Sequence, residues 1–178
     1  MKHFIKFTMV AVLTIMMMAC GDSKLKVEDL RKAEATLFYD DMTANTEAVP
    51  EVVDMFCKYV DENPEAEDAP EWLFKALEIA VGYLEPERAI EIGDKLFKQY
   101  PDYEKTPVGM FMLGTMVYED KLGELGKAKM LYEKLIADYP DSEFVPAAQQ
   151  SIINLGKTPE EIIREFEEMN LIDSVPAI

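Results

Sequence analysis

The sequence predicts an all-α protein whose helix pairs stack into a solenoid of about three pairs plus a shortened C-terminal cap. The first observation behind this prediction is a repeated helical segment. Residues 89–102 and 128–141 are identical at six of fourteen positions, at an offset of 39 residues. Both segments carry apolar residues at helical spacing and end in Tyr-Pro-Asp, where proline stops a helix because it lacks the N–H that continues the ladder. Repeats of fixed period are typical of solenoids.

The second observation is a set of paired prolines. Three prolines that end predicted helices are each followed six residues later by another: Pro64 and Pro70, Pro101 and Pro107, Pro140 and Pro146. The second proline of each pair suits the first turn of a helix, where its missing N–H has no partner to lose. Each pair therefore predicts the end of one unit and the start of the next, and the spacings between units are 37 and 39 residues.

Residues 1–20 are predicted to be a lipoprotein signal peptide. The basic residues Lys2, His3 and Lys6 precede an apolar run of about twelve residues, which is too short to span a bilayer. The run ends in Met-Met-Ala-Cys-Gly, which resembles the lipobox of bacterial lipoproteins. This resemblance implies that Cys20 becomes the first mature residue and carries lipid, palmitate included. The alternative is an ordinary signal peptide with an incidental cysteine.

Residues 21–26 are predicted to be a short tether, and residues 27–172 a repeat domain with units of about 27–64, 70–101, 107–140 and 146–169. In the first unit, helical spacing over residues 27–42 places four side chains on one inner face: Leu30, Ala33, Leu37 and Phe38. The partner helix, residues 48–60, has five inward apolar positions: Val49, Val52, Val53, Phe56 and Val60. These stripes predict two helices packed face to face.

The last unit is predicted to close the stack. Gly156 is an apt end for the helix over residues 146–155. The run Thr158-Pro159-Glu160-Glu161 reads as a capping box with proline at the first helical position. The final helix is expected to face inward through three residues: Ile162, Ile163 and Phe166. Residues 173–178 are expected to form a frayed tail, in which Asp173-Ser174-Val175 resembles the short O-glycosylation motif of Bacteroidetes envelope proteins.

Helix pairs that end in Tyr-Pro-Asp, with Ala89 and Ala128 twelve residues before the proline, resemble tetratricopeptide repeats. They are most similar to the repeats of bacterial envelope lipoproteins of the Tol–Pal-associated and outer-membrane-assembly kind. The pair Leu113-Gly114 matches the small position of a first helix, where two helices approach closely. Leu77, Leu96 and Leu135 depart from the family pattern. The resemblance implies a helical-repeat fold, a lipid anchor in the outer membrane, and a domain that faces the periplasm or the cell surface.

Charge and composition limit the chemistry. The net charge of −17 disfavours nucleic acid as a partner. The single histidine, His3, lies in the signal peptide, and Cys57 is predicted to be a buried free thiol, so no cofactor and no metal site is predicted. The acidic run 61–71 lacks the glycine of an EF-hand loop, with Ala66 in its place. It is interpreted as a solvated turn.

The resemblance also implies a binding groove along the first helices of the units. The positions that line such grooves are here Glu71, Phe74, Glu78 and Val81, then Val108, Phe111, Thr115 and Tyr118, with Gln150 and Asn154 in the last unit. Phe74 and Phe111 occupy the same place in successive units. Two interpretations stay open for them, namely groove walls for a ligand or core between repeats. Trp72 is interpreted as packing rather than as a ligand platform.

The sequence therefore predicts a lipid-anchored cell-envelope scaffold that binds a protein or peptide, with basic segments favoured, and that has no catalytic activity. Two alternatives involve enzymes: an accessory subunit of an envelope enzyme, or a weak carboxylate-based hydrolase. A third is a purely structural envelope component that associates through an exposed apolar face. The membrane is expected to be contacted only through the lipid anchor.

Overall fold

The structure is a computed structural model that describes residues 24–39 and 43–173. Within these ranges it contains eight α-helices: Val27–Glu34 (α1), Val49–Glu62 (α2), Ala69–Tyr83 (α3), Pro86–Gln99 (α4), Thr106–Met112 (α5), Leu125–Asp138 (α6), Val145–Asn154 (α7) and Pro159–Asp173 (α8). A 3₁₀ turn, Ala35–Leu37, follows α1, and a π-helical segment, Leu113–Lys121 (the π segment), follows α5 directly. The all-α prediction is confirmed, and none of the described helices is long and apolar enough to cross a membrane. The predicted signal peptide with Cys20, most of the tether, and residues 174–178 lie outside the described residues.

The paired prolines bound the helices as predicted. Helices α2, α4 and α6 each end two residues before the first proline of a pair. The second prolines, Pro70, Pro107 and Pro146, lie in the first turn of α3, α5 and α7. From α1 to α7, helices that are adjacent in the chain pack against one another. The proline chemistry therefore sets both ends of three successive connections.

The first unit differs from its prediction. The helix α1 ends at Glu34, and Phe38 has extended backbone, bridges Ala44 and is 52% exposed. The prediction of one helix over residues 27–42 with Phe38 on its inner face is therefore wrong. The physical reason is Asn45, whose side-chain amide donates to the carbonyl of Thr36 at 3.0 Å and whose N–H donates to that of Leu37 at 2.8 Å. These carbonyls would otherwise continue the helical ladder.

The core is densest between α2, α3 and α4. All five inward positions predicted on α2 are buried, as are Leu30 and Leu37. Trp72 packs on Phe56 with ring centroids 4.9 Å apart, which confirms its interpretation as packing. Asp68 fixes the start of α3 by accepting hydrogen bonds from the Tyr59 hydroxyl at 2.8 Å and the Trp72 indole N–H at 3.0 Å. Cys57 is buried and free, as predicted, and burial raises the pKa of its thiol.

The second half of the chain packs α6 against the π segment and α7. A side chain at Gly114 would place Cβ 2.5 Å from Cε1 of Tyr132, so only glycine fits this approach. The predicted close approach of helices at this position is confirmed. At the far end of the π segment, the Lys121 ammonium donates to the carbonyls of Val81 and Leu84 at 2.7 and 3.3 Å. A cation is favourable there because the last carbonyls of α3 have no helical partner.

The last unit keeps its predicted caps but not its predicted inner face. Gly156 has φ +77°, and Thr158 and Glu161 form the capping box through bonds of 2.8 and 3.2 Å. Ile162 is half-buried, whereas Ile163 and Phe166 are 58% and 63% exposed. The prediction that all three face inward is therefore wrong for two of them. Helix α8 packs much less closely against the preceding helices than they pack against one another, so most of its apolar stripe stays uncovered.

Candidate partner-binding site

The first two predicted groove residues, Glu71 and Phe74, meet the turn that precedes α5. The Lys105 ammonium donates to Oε2 of Glu71 at 2.8 Å, and the Tyr103 hydroxyl donates to the same oxygen. Lys105 also lies over the Phe74 ring, 5.3 Å from its centroid, and Tyr103 contacts the ring edge-on. Phe74 is only 4% exposed. It therefore packs between successive units, as the core interpretation expects.

Phe111 repeats this arrangement with different chemistry. Its ring is partly buried and lies 5.8 Å from the ring of Tyr132 and 5.6 Å from that of Phe144. Phe144 precedes Pro146 by two residues, as Lys105 precedes Pro107. Each predicted groove phenylalanine is thus contacted by the residue that stands two positions before the second proline of the following pair. The sequence contains the signal for this cover, because the covering positions align when the paired prolines are aligned.

The pKa values of Glu71 and Glu78 are shifted in opposite directions from the ordinary value of a glutamate. Desolvation acts to raise the pKa of Glu71, but its hydrogen bonds with Lys105 and Tyr103 hold that pKa below the ordinary value. Partial desolvation raises the pKa of Glu78, although the side chain is still exposed. Burial and the bond to Glu71 raise the pKa of the Tyr103 hydroxyl. Glu71 is therefore held ionised by its neighbours, whereas Glu78 takes up a proton more readily.

The other predicted groove residues lie apart from this cluster. The Thr115 hydroxyl donates to the carbonyl of Phe111 in its own helix at 3.0 Å. Tyr118 lies beside α6, with the Lys127 ammonium 5.6 Å from its ring centroid. Its direction follows from the π segment, whose i to i+5 bonds hold more residues per turn and so rotate side chains away from α-helical positions. Gln150 and Asn154 bond to each other at 3.1 Å on α7.

An opening lies between the turn before α5 and the turn before α7. We call it the turn cleft; it has a volume of about 560 Å³. Its apolar walls are Pro101, Tyr103, Pro107, Tyr139, Pro140 and Phe144. Its carboxylates are Asp102, Glu104, Asp138, Asp141 and Glu143. No residue predicted as groove-lining from the sequence takes part in it.

A recurring hydrogen bond sets the distance between successive turns. The Tyr139 hydroxyl donates to the carbonyl of Pro101 at 2.8 Å, and the Tyr100 hydroxyl donates to that of Pro64 at 2.9 Å. Both tyrosines belong to the repeated Tyr-Pro-Asp, and each reaches the first proline of the preceding pair. The identical tyrosines were a visible signal, but their role requires knowing that the turns lie side by side.

The turn cleft carries uncompensated negative charge. Asp138 pairs with Lys134 on its own helix. No ion pair in the described ranges involves its other four carboxylates: Asp102, Glu104, Asp141 and Glu143. Like charges held close together repel, so a cation that enters the cleft is favoured.

Comparison of the chain with protein-family models and with curated proteins finds no match. The turn cleft and the covered phenylalanines are therefore the features from which its function is inferred.

Proposed function

We propose that the chain is a tetratricopeptide-like solenoid scaffold that binds a peptide segment of a partner protein in the turn cleft. The turn cleft itself is the observation that carries this proposal. Its volume of about 560 Å³ falls within the range of ordinary ligand sites, roughly 300–1,000 Å³. Tyr139 ties its two sides together before any ligand arrives, and such preorganisation lowers the cost of binding.

The solenoid part of the proposal is supported by contacts that recur between units. The Tyr100 and Tyr139 bonds join consecutive turns in the same way. In addition, ion pairs of Arg88 with Asp54 and of Lys95 with Asp61 join α2 to α4, the second helices of the first two units. Repeated neighbour contacts are what hold a solenoid together.

The cleft chemistry favours a segment that bears lysine or arginine. Four carboxylates without ion-pair partners supply the charge, and the rings of Tyr103, Tyr139 and Phe144 supply flat apolar walls. An arginine guanidinium suits this combination best because it stacks on aromatic faces and bonds carboxylates with two parallel N–H groups. A lysine fits as a point charge with an apolar stem.

We propose further that the scaffold is held at the cell envelope by acylation of Cys20 in the outer membrane. The lipobox-like sequence supports this anchor. The predicted tether of about six residues reaches about 20 Å at most, so the binding domain would stay close to the membrane.

The carboxylate-hydrolase alternative has one observation in its favour. Glu71 and Glu78 lie on one helix with pKa values displaced in opposite directions, a pattern that acid–base pairs in enzymes share. Neither residue lines the turn cleft. If this alternative holds, Glu78→Gln abolishes a hydrolytic activity that membranes with the unaltered chain show. The same variant leaves unchanged the amount of partner protein that the chain captures from those membranes.

Affinity capture from native membranes tests the proposed function. The variant Glu104→Gln/Glu143→Gln removes two cleft charges with little change in shape, and we expect it to lose most of the partner recovered by the unaltered chain. The matched control is Glu47→Gln/Glu87→Gln, which removes two exposed charges outside the cleft. Equal recovery by both double variants would reject the turn cleft as the binding site.

A further inference from the structure

A second opening lies between the π segment and α6. It has a volume of about 430 Å³ and is lined by Tyr118, Lys127, Met130, Leu131 and Lys134. We call it the α6 groove. Met130 is 70% exposed, more than Phe166 at 63%, Ile153 at 59% and Ile163 at 58%. The groove therefore combines an apolar floor with two lysines, on a chain whose net charge is −17.

The two ion pairs that join α2 to α4 have no counterpart between α4 and α6 in the described ranges. Between α2 and α4, Arg88 bonds Asp54 at 2.7 Å, and Lys95 bonds Asp61. At the offset of 39, Lys127 and Lys134 take the places of Arg88 and Lys95 on α6.

The acid positions on α4 do not supply the matching partners. At the offset of 37, Glu91 takes the place of Asp54 but bonds Arg88 on its own helix at 2.7 Å. Lys98 takes the place of Asp61, and its like charge prevents a pair with Lys134. The two groove lysines bond acids of their own neighbourhood instead, Lys127 with Glu124 at 2.6 Å and Lys134 with Asp138. Exposed pairs of this kind are weak and can be exchanged for others.

The same chain carries a surface of opposite charge with the same spacing. On α6, Met130 follows Lys127 by three residues and precedes Lys134 by four. On α8, Ile163 follows Glu160 by three and precedes Glu167 by four. Residues at these spacings share one face of a helix, and the outer two lie about 10.5 Å apart along the axis.

Both apolar centres are uncovered in the single chain. Ile163 is 58% exposed on α8, as Met130 is on α6, and the side chains of Glu160 and Glu167 are exposed as well. The two surfaces are therefore not joined to each other within one molecule. Each presents an apolar centre between two charges, and the charges are of opposite sign.

We propose that α8 of a second copy docks in the α6 groove, with Ile163 against Met130 and the two glutamates against the two lysines. An amphipathic helix in an apolar groove is a recurrent mode of protein recognition. Reciprocal docking uses each surface once per copy and closes into a two-fold dimer. The exposed apolar surfaces supply the affinity, and the charged rim fixes partner and register.

A charge exchange tests this dimer in the full chain. The first variant is Lys127→Glu/Lys134→Glu, and the second is Glu160→Lys/Glu167→Lys. In either variant alone the docked surfaces carry like charges, so we expect sedimentation equilibrium to show a dissociation constant raised about tenfold or more. In an equimolar mixture both contacts pair opposite charges again, so we expect dimers as tight as those of the unaltered chain. Lys129→Glu, a change on the same helix outside the groove lining, leaves the constant unchanged.

Recovery in the mixture also shows that both variants are folded. An unaltered chain that sediments as a monomer, variants that dimerise as tightly as it does, or a mixture that fails to recover would each overturn the proposal.

Ile163→Ser supplies a second, milder probe that keeps all charges, and it should weaken the dimer. A photo-crosslinker at position 130, used with ¹⁴N- and ¹⁵N-labelled chains mixed, identifies the occupant. Links to α8 that join the two labels support the proposal. Links that never join the two labels, or that reach only another protein, reject it.

Discussion

At the residue scale, Phe74 and Phe111 hold equivalent places but have different surroundings. Phe74 is almost fully covered, and Lys105 and Tyr103 lie on it. Phe111 is partly exposed and belongs to an aromatic group with Tyr132 and Phe144. Equivalence in a repeat therefore fixes the position of a side chain, while the residues of the following turn decide its burial.

Truncation of Phe74 measures this burial. We expect Phe74→Ala to lower the free energy of unfolding by about 3–5 kcal/mol, as for a fully buried phenylalanine. Phe111→Ala should cost less, because part of that ring is already in contact with water. Urea unfolding of both variants gives the comparison. If Phe74→Ala is as stable as the unaltered chain and loses its partner, the phenylalanine lines a binding groove after all.

Tyr132 makes stability sensitive to alkaline pH. Burial first, and then the hydrogen bond to Glu119, raise its pKa above the ordinary value of 10.0. Above about pH 10 the unfolded chain loses this proton while the folded chain keeps it, so the free energy of unfolding falls as pH rises. We expect Tyr132→Phe to flatten part of this decline in urea titrations above pH 10. The decline would persist in part because Tyr103 is shifted in the same direction. An unchanged slope in Tyr132→Phe would contradict this assignment.

At the scale of elements, local chemistry was readable from the sequence. The paired prolines mark the ends of α2, α4 and α6 and the starts of α3, α5 and α7. Thr158 and Glu161 cap α8, and the missing Cβ of Gly114 permits the approach of Tyr132. Each of these features depends on a few neighbouring residues or on one repeat position. Their physical causes, a missing N–H, a side-chain cap or a missing Cβ, are the same in any fold.

Features that depend on contacts between residues distant in the sequence were not readable in this way. Asn45 ends the first helix through bonds to residues 36 and 37, which lie eight or more positions away. Tyr118 lies in the π segment, and no local sequence pattern marks that segment. The turn cleft joins residues from two turns that are adjacent only in the folded structure. The groove residues predicted from the sequence therefore do not line the turn cleft.

Helix packing in the third unit is tested by enlarging Ala128. This residue is fully buried in the cluster that contains Tyr132 and Leu135. Ala128→Leu adds three carbons there and should lower the free energy of unfolding by about 1–3 kcal/mol, because a packed core has no room for them. For a chain of this size each kcal/mol corresponds to about 2–4 °C in melting temperature. Lys129→Leu adds a leucine at the neighbouring exposed position and should leave the melting temperature nearly unchanged. Equal melting temperatures would mean that Ala128 does not face the core.

At the scale of the whole molecule, the predicted anchor decides where the scaffold works. We expect intact-mass analysis of the membrane fraction to show a diacylglycerol on Cys20 and further acylation at the mature N-terminus. Several acyl chains anchor a protein stably, whereas one binds only marginally, since each buried CH₂ contributes about 0.8 kcal/mol. Cys20→Ala should release the protein into the soluble fraction. An unaltered chain that is fully soluble, with its N-terminus unmodified, would refute the anchor.

The charge of the whole molecule predicts how the turn cleft responds to salt. With a net charge of −17, we expect the chain to attract a basic peptide from a distance. At close range we expect the four cleft carboxylates that have no ion-pair partner in the described ranges to bind it. Added salt screens both attractions, since the Debye length falls from about 10 Å at 0.1 M to about 3 Å at 1 M. We therefore expect calorimetry to show that the affinity for an arginine-containing peptide falls steeply with salt. Glu104→Gln/Glu143→Gln should bind more weakly and with a shallower salt dependence, whereas Glu47→Gln/Glu87→Gln, with the same net charge, should keep most of the affinity. If the two double variants behave alike, the attraction comes from overall charge alone and the turn cleft has no specific role in it.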